Sequence, residues 1–314
     1  MPNTIKSTKR INAYKLLLKR MSNRYELYLM LAIPLIWYIT FKYFPIYGVQ
    51  IAFKEFSVTK GIWGSDWIGL KYFNRFFSSY YFWEIMWNTV SLSLYSLLAG
   101  FPIPIGLALL INEIQNKSFK KWVQNVTYIP HFLSVVVIVG MIKIFFDPNN
   151  GIINSVRGLL GFESIHFLQK ASWFQTIFVS SDVWQHMGWS SIIYIAALSA
   201  VDPTLYEAAR MDGASRFKRI IHVSIPGIMP TIIILFILQM GHMMDAGFEK
   251  VLLMQNPLNT EKSEIIGTYV YRMGIQGGEF SFTAAVGLFN SVIDFTLLLM
   301  INSFARRKTE SSLW

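Results

Sequence analysis

Residues 207–213 read Glu-Ala-Ala-Arg-Met-Asp-Gly, and they lie in a polar loop, residues 201–226, between two long apolar segments. Asp202, which a proline follows, is the kind of residue that caps a helix, and proline is favoured as the first helical residue. Gly213 suits the left-handed turn that ends many helices. Ser215 can cap a second short helix that carries three basic residues. The stretch therefore predicts two short helices joined at a hinge.

The composition indicates a membrane protein. The chain has 314 residues, of which 53% are hydrophobic and 15% are charged, and this is too apolar for an ordinary soluble domain. Several apolar stretches approach the roughly 20 residues that a helix needs to cross a bilayer. Cysteine is absent from the sequence, so disulfides and thiolate metal sites are excluded.

Six apolar stretches are predicted to span the membrane. They are residues 26–44, 84–111, 125–146, 175–200, 227–247 and 283–304. The predicted domains are a basic N-terminal tail (1–24), a transmembrane domain (25–304) that includes loop 201–226, and a C-terminal tail (305–314). The first stretch is long for a signal peptide and no small-residue cleavage site follows it, so we interpret it as an uncleaved membrane helix.

The distribution of basic residues predicts the orientation of the chain. Residues 1–24 carry seven Lys or Arg and no acid, and the segments predicted to be cytoplasmic hold 17 of the 28 basic residues. Cytoplasmic loops of membrane proteins carry such an excess, so both termini are predicted to be cytoplasmic. The net charge of +10 is accounted for in this way. No stretch has the basic and aromatic pattern of a nucleic-acid-binding module, so a nucleic-acid partner is not expected.

The sequence lacks the motifs of an enzyme active site. No Gly-x-x-x-x-Gly-Lys-Ser/Thr loop is present to bind ATP phosphates, and no Gly-x-Ser-x-Gly nucleophile elbow occurs. The five histidines lack metal-ligand spacing, so no metal site is predicted. His186 and His242 lie in predicted spans, where packed or hydrogen-bonded roles are expected. No catalytic residue and no cofactor is therefore assigned to this chain.

The loop resembles the cytoplasmic loop of ABC importer permeases, whose pattern is Glu-Ala-Ala, three residues, Gly, nine residues, Ile-x-Leu-Pro. The direct matches are Glu207, Ala208, Ala209 and Gly213. Val223, Ile225 and Pro226 occupy the last three positions, with conservative changes at the first two. Residues 67–73 resemble the first outer loop of sugar-importer permeases. The chain thus resembles a permease subunit of a type I ABC importer of the carbohydrate-uptake branch, in the subgroup for complex oligosaccharides such as fragments of pectin or alginate.

This resemblance implies an all-α, MetI-like fold of about six transmembrane helices in a bacterial cytoplasmic membrane. It also implies several partners: a second, related permease, two ATPase subunits that carry ATP and Mg, and an external solute-binding protein that delivers the oligosaccharide. The first helix of the loop would dock into a groove on an ATPase subunit. The residues expected to couple this chain to the ATPase subunit are Glu207, Ala208, Ala209, Arg210, Asp212, Gly213 and Pro226.

Acidic residues in the predicted spans are candidates for the transport path. A charge in hydrocarbon costs at least roughly 2.5–3.5 kcal/mol, so such residues usually face a cavity or a partner. Asp182 and Asp245 are expected near the outer ends of their helices. Asp294 is expected near the middle of the sixth span, where facing a cavity or a subunit contact is favoured over the alternative of a contact that packs two helices together. The resemblance implies that the fourth to sixth spans line the sugar path. The predicted path residues are Asp182, Trp184, Gln185, Asp245, Glu249, Asn290 and Asp294.

Three alternatives remain at this point. An ion-coupled secondary transporter or a channel would use Asp294 and Asp182 as ion sites, although the chain shows no convincing internal repeat of the kind common in such folds. A membrane-embedded receptor or assembly factor would bind partners without transport. An ABC importer permease for a non-sugar solute would share the fold and the loop.

Overall fold

The computed structural model describes residues 24–308 and 312–313. Most of the predicted N-terminal tail and part of the predicted C-terminal tail therefore lie outside the described residues. The chain divides after Gly69 into two compact units. By length and composition, four helices of the described residues can cross a membrane, or six if each of two strongly bent helix pairs counts as one span.

The first unit contains a long helix followed by a small hairpin. Helix α1 (Tyr25–Tyr38) continues through a π-helical segment into a 3₁₀ segment that ends at Phe53, beyond the predicted end of the first span at residue 44. No residue of α1 is buried within the described residues. Strands β1 (Lys54–Glu55) and β2 (Asp66–Trp67) pair antiparallel, with the short helix α2 (Gly61–Gly64) between them.

The second unit is helical throughout its regular structure. Its helices are α3 Lys71–Phe77, α4 Phe82–Gly100, α5 Pro102–Glu113, α6 Lys117–Tyr128, α7 Val135–Phe145, α8 Ile152–Leu159, α9 Ala171–Ser199, α10 Pro203–Met211, α11 Arg216–Arg219, α12 Ile225–Met240, α13 Phe248–Met254, α14 Thr260–Ser263, α15 Ile266–Tyr271 and α16 Phe280–Lys308. Short 3₁₀ segments lie at Ile129–Phe132 and Phe167–Gln169, and π-helical segments at Ile220–Ser224 and Arg272–Gln276. The predicted all-α fold is confirmed, since the two strands comprise two residues each.

The third predicted span, residues 125–146, is broken. Its two halves, Lys117–Phe132 and Val135–Phe145, are bent by 101°. Pro130 lies in the 3₁₀ segment and has no backbone N–H to donate, and Ser134 caps the following helix by accepting a hydrogen bond from the backbone nitrogen of Val137 at 3.3 Å. These local signals interrupt the helix inside a continuous apolar run, so a count based on hydropathy alone does not reveal the break.

Helix α9 lies at the centre of the second unit and packs against α4, α5, α6 and α12. One of its contacts depends on a glycine. A Cβ atom at Gly188 would lie 2.1 Å from the carbonyl oxygen of Thr127, so the backbones of α9 and α6 approach too closely for any side chain. This packing positions the polar residues of α9 against the neighbouring helices.

Candidate coupling loop and membrane cavity

The polar loop folds as the sequence predicts in its first half. Helix α10 follows α9 after a bend of 74°, and Asp202 caps it by accepting a hydrogen bond from the backbone nitrogen of Thr204 at 2.9 Å. This bond stabilises the carboxylate and lowers the pKa of Asp202. Gly213 has φ of 75°, and the backbone nitrogen of Ala214 donates to the carbonyl of Ala209 at 2.9 Å. The predicted cap and the predicted left-handed turn are both present.

The second half of the loop differs from the prediction. Ser215 caps α11 as expected, with its hydroxyl 3.4 Å from the backbone nitrogen of Lys218. Helix α11 then continues through the π-helical segment into α12, so Arg216–Met240 is one helix of 25 residues. Pro226 lies inside this helix, as the second residue of α12, rather than at the boundary between a loop and a span. The second short helix is therefore the first turn of a membrane helix.

The short helices present an uncovered apolar surface. No residue of α10 or α11 is buried within the described residues. Met211 is 88% exposed, Phe217 is 71% exposed and Leu205 is 52% exposed. Exposed apolar patches that are rimmed by polar residues are typical of protein interaction sites.

Two contacts tie this surface to the membrane helices. The hydroxyl of Tyr206 on α10 lies 3.0 Å from that of Ser224, at the start of the α12 helix. The guanidinium of Arg219 lies 3.8 Å from the carboxylate of Glu113, the last residue of α5, and the two side chains are only 12% and 22% exposed. Tyr206 thus links α10 to the helix that contains α11 and α12, and Arg219 links that same helix to α5.

A cavity of about 710 Å³ lies between α4, α5, α9, α12 and the 3₁₀ segment before α7. Its lining is mixed, with aliphatic and aromatic side chains beside the polar groups His131, Asp182, His186, Gln239 and His242. A second cavity, of about 180 Å³, shares the lining residues Ser96, Asp182, Gln239 and His242 with the first. The second cavity extends to Asp245, in the segment that follows α12.

Asp182 is paired with two other groups. Its carboxylate oxygen Oδ1 lies 3.4 Å from Nδ1 of His186 and 3.4 Å from Nζ of Lys250. Lys250, on α13, is 4% exposed, and its ammonium lies 5.1 Å from the centre of the Phe178 ring. Burial lowers the pKa of Lys250, and the attraction of Asp182 opposes this shift.

An aromatic stack lies beside this pair. The rings of His131 and Trp189 are stacked, with centroids 4.6 Å apart and an interplanar angle of 3°. The His131 ring is also 5.5 Å from that of His186. Atom Nδ1 of His131 is buried and has no hydrogen-bond partner among the described residues. The larger cavity thus combines flat rings with hydrogen-bonding groups.

Residues 100–310 match the family described as the binding-protein-dependent transport system inner membrane component. The chain belongs to this family. It is therefore a permease, and this membership favours a binding-protein-dependent importer over the ion-coupled alternative.

One of the relatives of this permease is named for polysaccharide transport. The polygalacturonan/rhamnogalacturonan transport system permease protein YteP of Bacillus subtilis (strain 168) is 41% identical over 300 residues, covering 96% of this chain and 93% of the relative. Protein LplB of the same strain is 42% identical over 288 residues, covering 92% and 91%.

Two solved structures match most of this chain. A chain in the crystal structure of a bacterial ABC transporter involved in the import of the acidic polysaccharide alginate is 38% identical, with a TM-score of 0.86, covering 93% of this permease and 99% of that chain. A second crystal structure, of the bacterial alginate ABC transporter in complex with an alginate pentasaccharide-bound periplasmic protein, matches with a TM-score of 0.87 and 37% identity, covering 94% and 99%.

The predicted coupling residues of the permease are accessible as a group. Glu207, Ala208, Arg210, Asp212, Gly213 and Pro226 are exposed, and Ala209 is half-buried. A Cβ atom at Gly213 would meet no atom within 4 Å, so the requirement for glycine there is conformational rather than steric. Their role in coupling stays a prediction.

The predicted path residues do not form one site. Asp182 lines both cavities and Asp245 lines the smaller one. Asp182 lies well inside α9 rather than near a helix end, because α9 already begins at Ala171. Trp184 is 41% exposed and Glu249 is exposed, and neither lines the two cavities described above.

The remaining predicted path residues make contacts within the permease. Gln185 is buried and donates from Nε2 to the carbonyl of Leu133 at 3.1 Å, at the break between α6 and α7. Asp294 is half-buried and accepts a hydrogen bond from the backbone nitrogen of Met244 at 2.8 Å. Asn290 is half-buried, and its side-chain oxygen has no partner among the described residues. Their part in the sugar path stays a prediction.

Sequence reasoning missed five residues of the cavity region. They are His131, His186, Trp189, His242 and Lys250. One signal was available, since His186 follows Asp182 by four residues and such pairs face each other on a helix. Trp189 also lies on α9, three residues after His186. His131, His242 and Lys250 come from other parts of the chain, so their spacing from Asp182 carries no information.

Proposed function

We propose that this permease carries acidic oligosaccharides through the bacterial cytoplasmic membrane as one subunit of an ATP-driven importer. The similarity to the alginate importer supports the substrate class, because it extends over 93% of this permease at 38% identity. The relative named for polygalacturonan and rhamnogalacturonan transport supports it independently. The mixed aromatic and polar lining of the 710 Å³ cavity suits a sugar ring with hydrogen-bonding groups.

The proposed partners are a second permease, two ATPase subunits and an external solute-binding protein. The similar alginate transporter was crystallised with a pentasaccharide-bound periplasmic protein, which supports delivery by a binding protein. The ATPase subunits would hold ATP and Mg, since this chain has no phosphate-binding loop. In this arrangement both termini and the loop at residues 201–226 face the cytoplasm.

The exposed surface of α10 carries the proposed coupling. The surface combines apolar side chains with the carboxylate of Glu207, which can pair with a basic group on the ATPase. The half-buried Ala209 and the exposed Ala208 permit close approach of another helix or groove. An ATPase that moves on ATP binding would push α10, and the contacts of Tyr206 and Arg219 would pass that movement to α12 and α5.

Reconstitution tests the proposal directly. The permease pair, its ATPases and the liganded binding protein are placed in lipid nanodiscs, and ATP hydrolysis is measured with acidic and neutral oligosaccharides of equal length. We expect acidic oligosaccharides to stimulate hydrolysis. Transport that follows a proton gradient and ignores ATP would refute the importer proposal, and stimulation by neutral sugars alone would refute the substrate class.

Loop variants with a matched control test the coupling. Gly213→Ala and Glu207→Ala are expected to lower stimulated hydrolysis while the permease remains folded. Gly161→Ala is the control, because Gly161 has φ of 79° and open space around its Cα, as Gly213 does, but lies in a predicted outer segment. Equal losses in Gly161→Ala and Gly213→Ala would mean that backbone strain, not coupling, causes the effect.

A further inference from the structure

The larger cavity poses an electrostatic problem for an acidic substrate. In the described part of the chain, Asp182 is the one carboxylate in the lining of this cavity. It is also part of the lining that the two cavities share, so a solute that passes from one to the other must pass beside it. Like charges repel strongly where water is scarce. An unpaired Asp182 would therefore disfavour a carboxylate-bearing sugar.

A buried lysine that lines neither cavity compensates this charge. The ammonium of Lys250 lies 3.4 Å from the Asp182 carboxylate, yet Lys250 is 4% exposed and is not part of the lining of either cavity. His186 approaches the same oxygen at 3.4 Å and does line the cavity. The pair of Asp182 and Lys250 is neutral as a unit, so the solute meets a polar wall without net negative charge.

The rest of the polar lining favours an anion. His131, His186 and His242 each bring a ring that can donate an N–H or carry a positive charge, and Gln239 brings an amide. Trp189, stacked on His131, offers a flat aromatic surface of the kind on which a sugar ring can lie. Once Asp182 is neutralised, the described lining of the larger cavity holds hydrogen-bond donors and no further carboxylate, since Asp245 lines only the smaller cavity.

We propose that Lys250 is a specificity-determining residue: by neutralising Asp182 it lets the 710 Å³ cavity accept sugars that carry a carboxylate. The proposal rests on the function proposed above, and it deepens that function by assigning the acceptance of acidic sugars to one ion pair. Lys250 acts through Asp182 and does not touch the substrate. It is therefore a positioning residue, and its effect is to set the net charge of the cavity wall.

The test compares two substrates in each variant. Proteoliposomes with the complete importer take up oligogalacturonate and its methyl-esterified counterpart of equal length, and the ratio of the two initial rates is recorded. The same binding protein serves every variant, so its own preference cancels when ratios are compared. We expect Lys250→Met to lower the ratio of acidic to esterified uptake at least tenfold.

Neutral replacement of Asp182 provides the decisive control. Asp182→Asn should keep or raise the ratio, and Asp182→Asn combined with Lys250→Met should return it to the wild-type value. Lys170→Met, which changes an exposed lysine just before α9, should leave it unchanged. A purely structural role of the pair would change the amount of folded importer, but it would not change a ratio measured on one preparation.

The outcomes separate this inference from the proposed function. If the wild-type importer takes up neither substrate, the proposed function fails. If the wild-type importer takes up oligogalacturonate and Lys250→Met leaves the ratio unchanged, the proposed function stands and the role of Lys250 is refuted. The same conclusion follows if the double variant keeps the low ratio of Lys250→Met.

Discussion

The exposed apolar side chains of the coupling loop allow a quantitative prediction. Met211 and Phe217 are 88% and 71% exposed, and the proposed function places an ATPase subunit against them. Replacing both with glutamine removes apolar surface while keeping residues that form helices at least as well. The double variant M211Q/F217Q should therefore weaken ATPase binding without unfolding α10 or α11.

The expected size follows from the exposed fractions. Complete burial of one such side chain contributes about 1.5–3 kcal/mol. Scaled by the exposure of the two side chains, full coverage contributes about 3 kcal/mol in total. Because about 1.4 kcal/mol corresponds to a tenfold change in Kd, the double variant is expected to bind the ATPase about 100-fold more weakly.

The assay measures the Kd of purified ATPase for the permease pair in nanodiscs by biolayer interferometry. The chain offers a matched control at Leu159 and Leu160, which are 88% and 68% exposed and lie in a predicted outer segment. The double variant L159Q/L160Q should bind the ATPase as the wild type does. Wild-type affinity in M211Q/F217Q, or an equal loss in the control, would contradict the assignment of this surface to the ATPase.

Three further predictions concern packing and force transmission. Gly188→Ala should lower the Tm in detergent by overpacking α9 against Thr127, at a cost of about 1–3 kcal/mol, whereas Gly106→Ala, with no atom within 4 Å of the new Cβ, should not. Tyr206→Phe removes the 3.0 Å contact with Ser224, worth about 1 kcal/mol, and should lower the amount of sugar imported per ATP while basal hydrolysis persists; an unchanged ratio argues against a transmitting role. Arg219→Met and Glu113→Gln should show a coupling energy of about 0.5–3 kcal/mol in a double-mutant cycle of unfolding, and additivity would show that the 3.8 Å pair contributes nothing.

The sequence predicted the elements whose causes are local. Asp202 caps α10 and Gly213 adopts the left-handed turn because each interacts with backbone groups only a few residues away. The hydrophobic stretches predicted membrane helices because a bilayer demands a fixed length of apolar chain. The break at Ser134 has a local cause as well, but the apolar residues on both sides of it dominate the hydropathy signal.

The site was predicted less well than the fold. Asp182 was chosen from the cost of a charge in hydrocarbon, and the structure does place it on both cavities. The same argument chose Asp294, whose carboxylate is instead hydrogen-bonded to the backbone of Met244. Hydrocarbon burial predicts that a carboxylate needs a partner, but it does not distinguish a cavity from a neighbouring helix.

What the sequence determined by itself is the class of the protein: a helical membrane permease with a capped, exposed loop between its fourth and fifth predicted spans. What only the tertiary structure decided is the charge of its cavity. Asp182 and Lys250 are 68 residues apart along the chain, and His131 stacks on Trp189 from a different helix. Helix caps and the apolar length that a bilayer demands are properties of a single helix and its flanking residues. The pairing of a buried charge depends instead on which helices pack together.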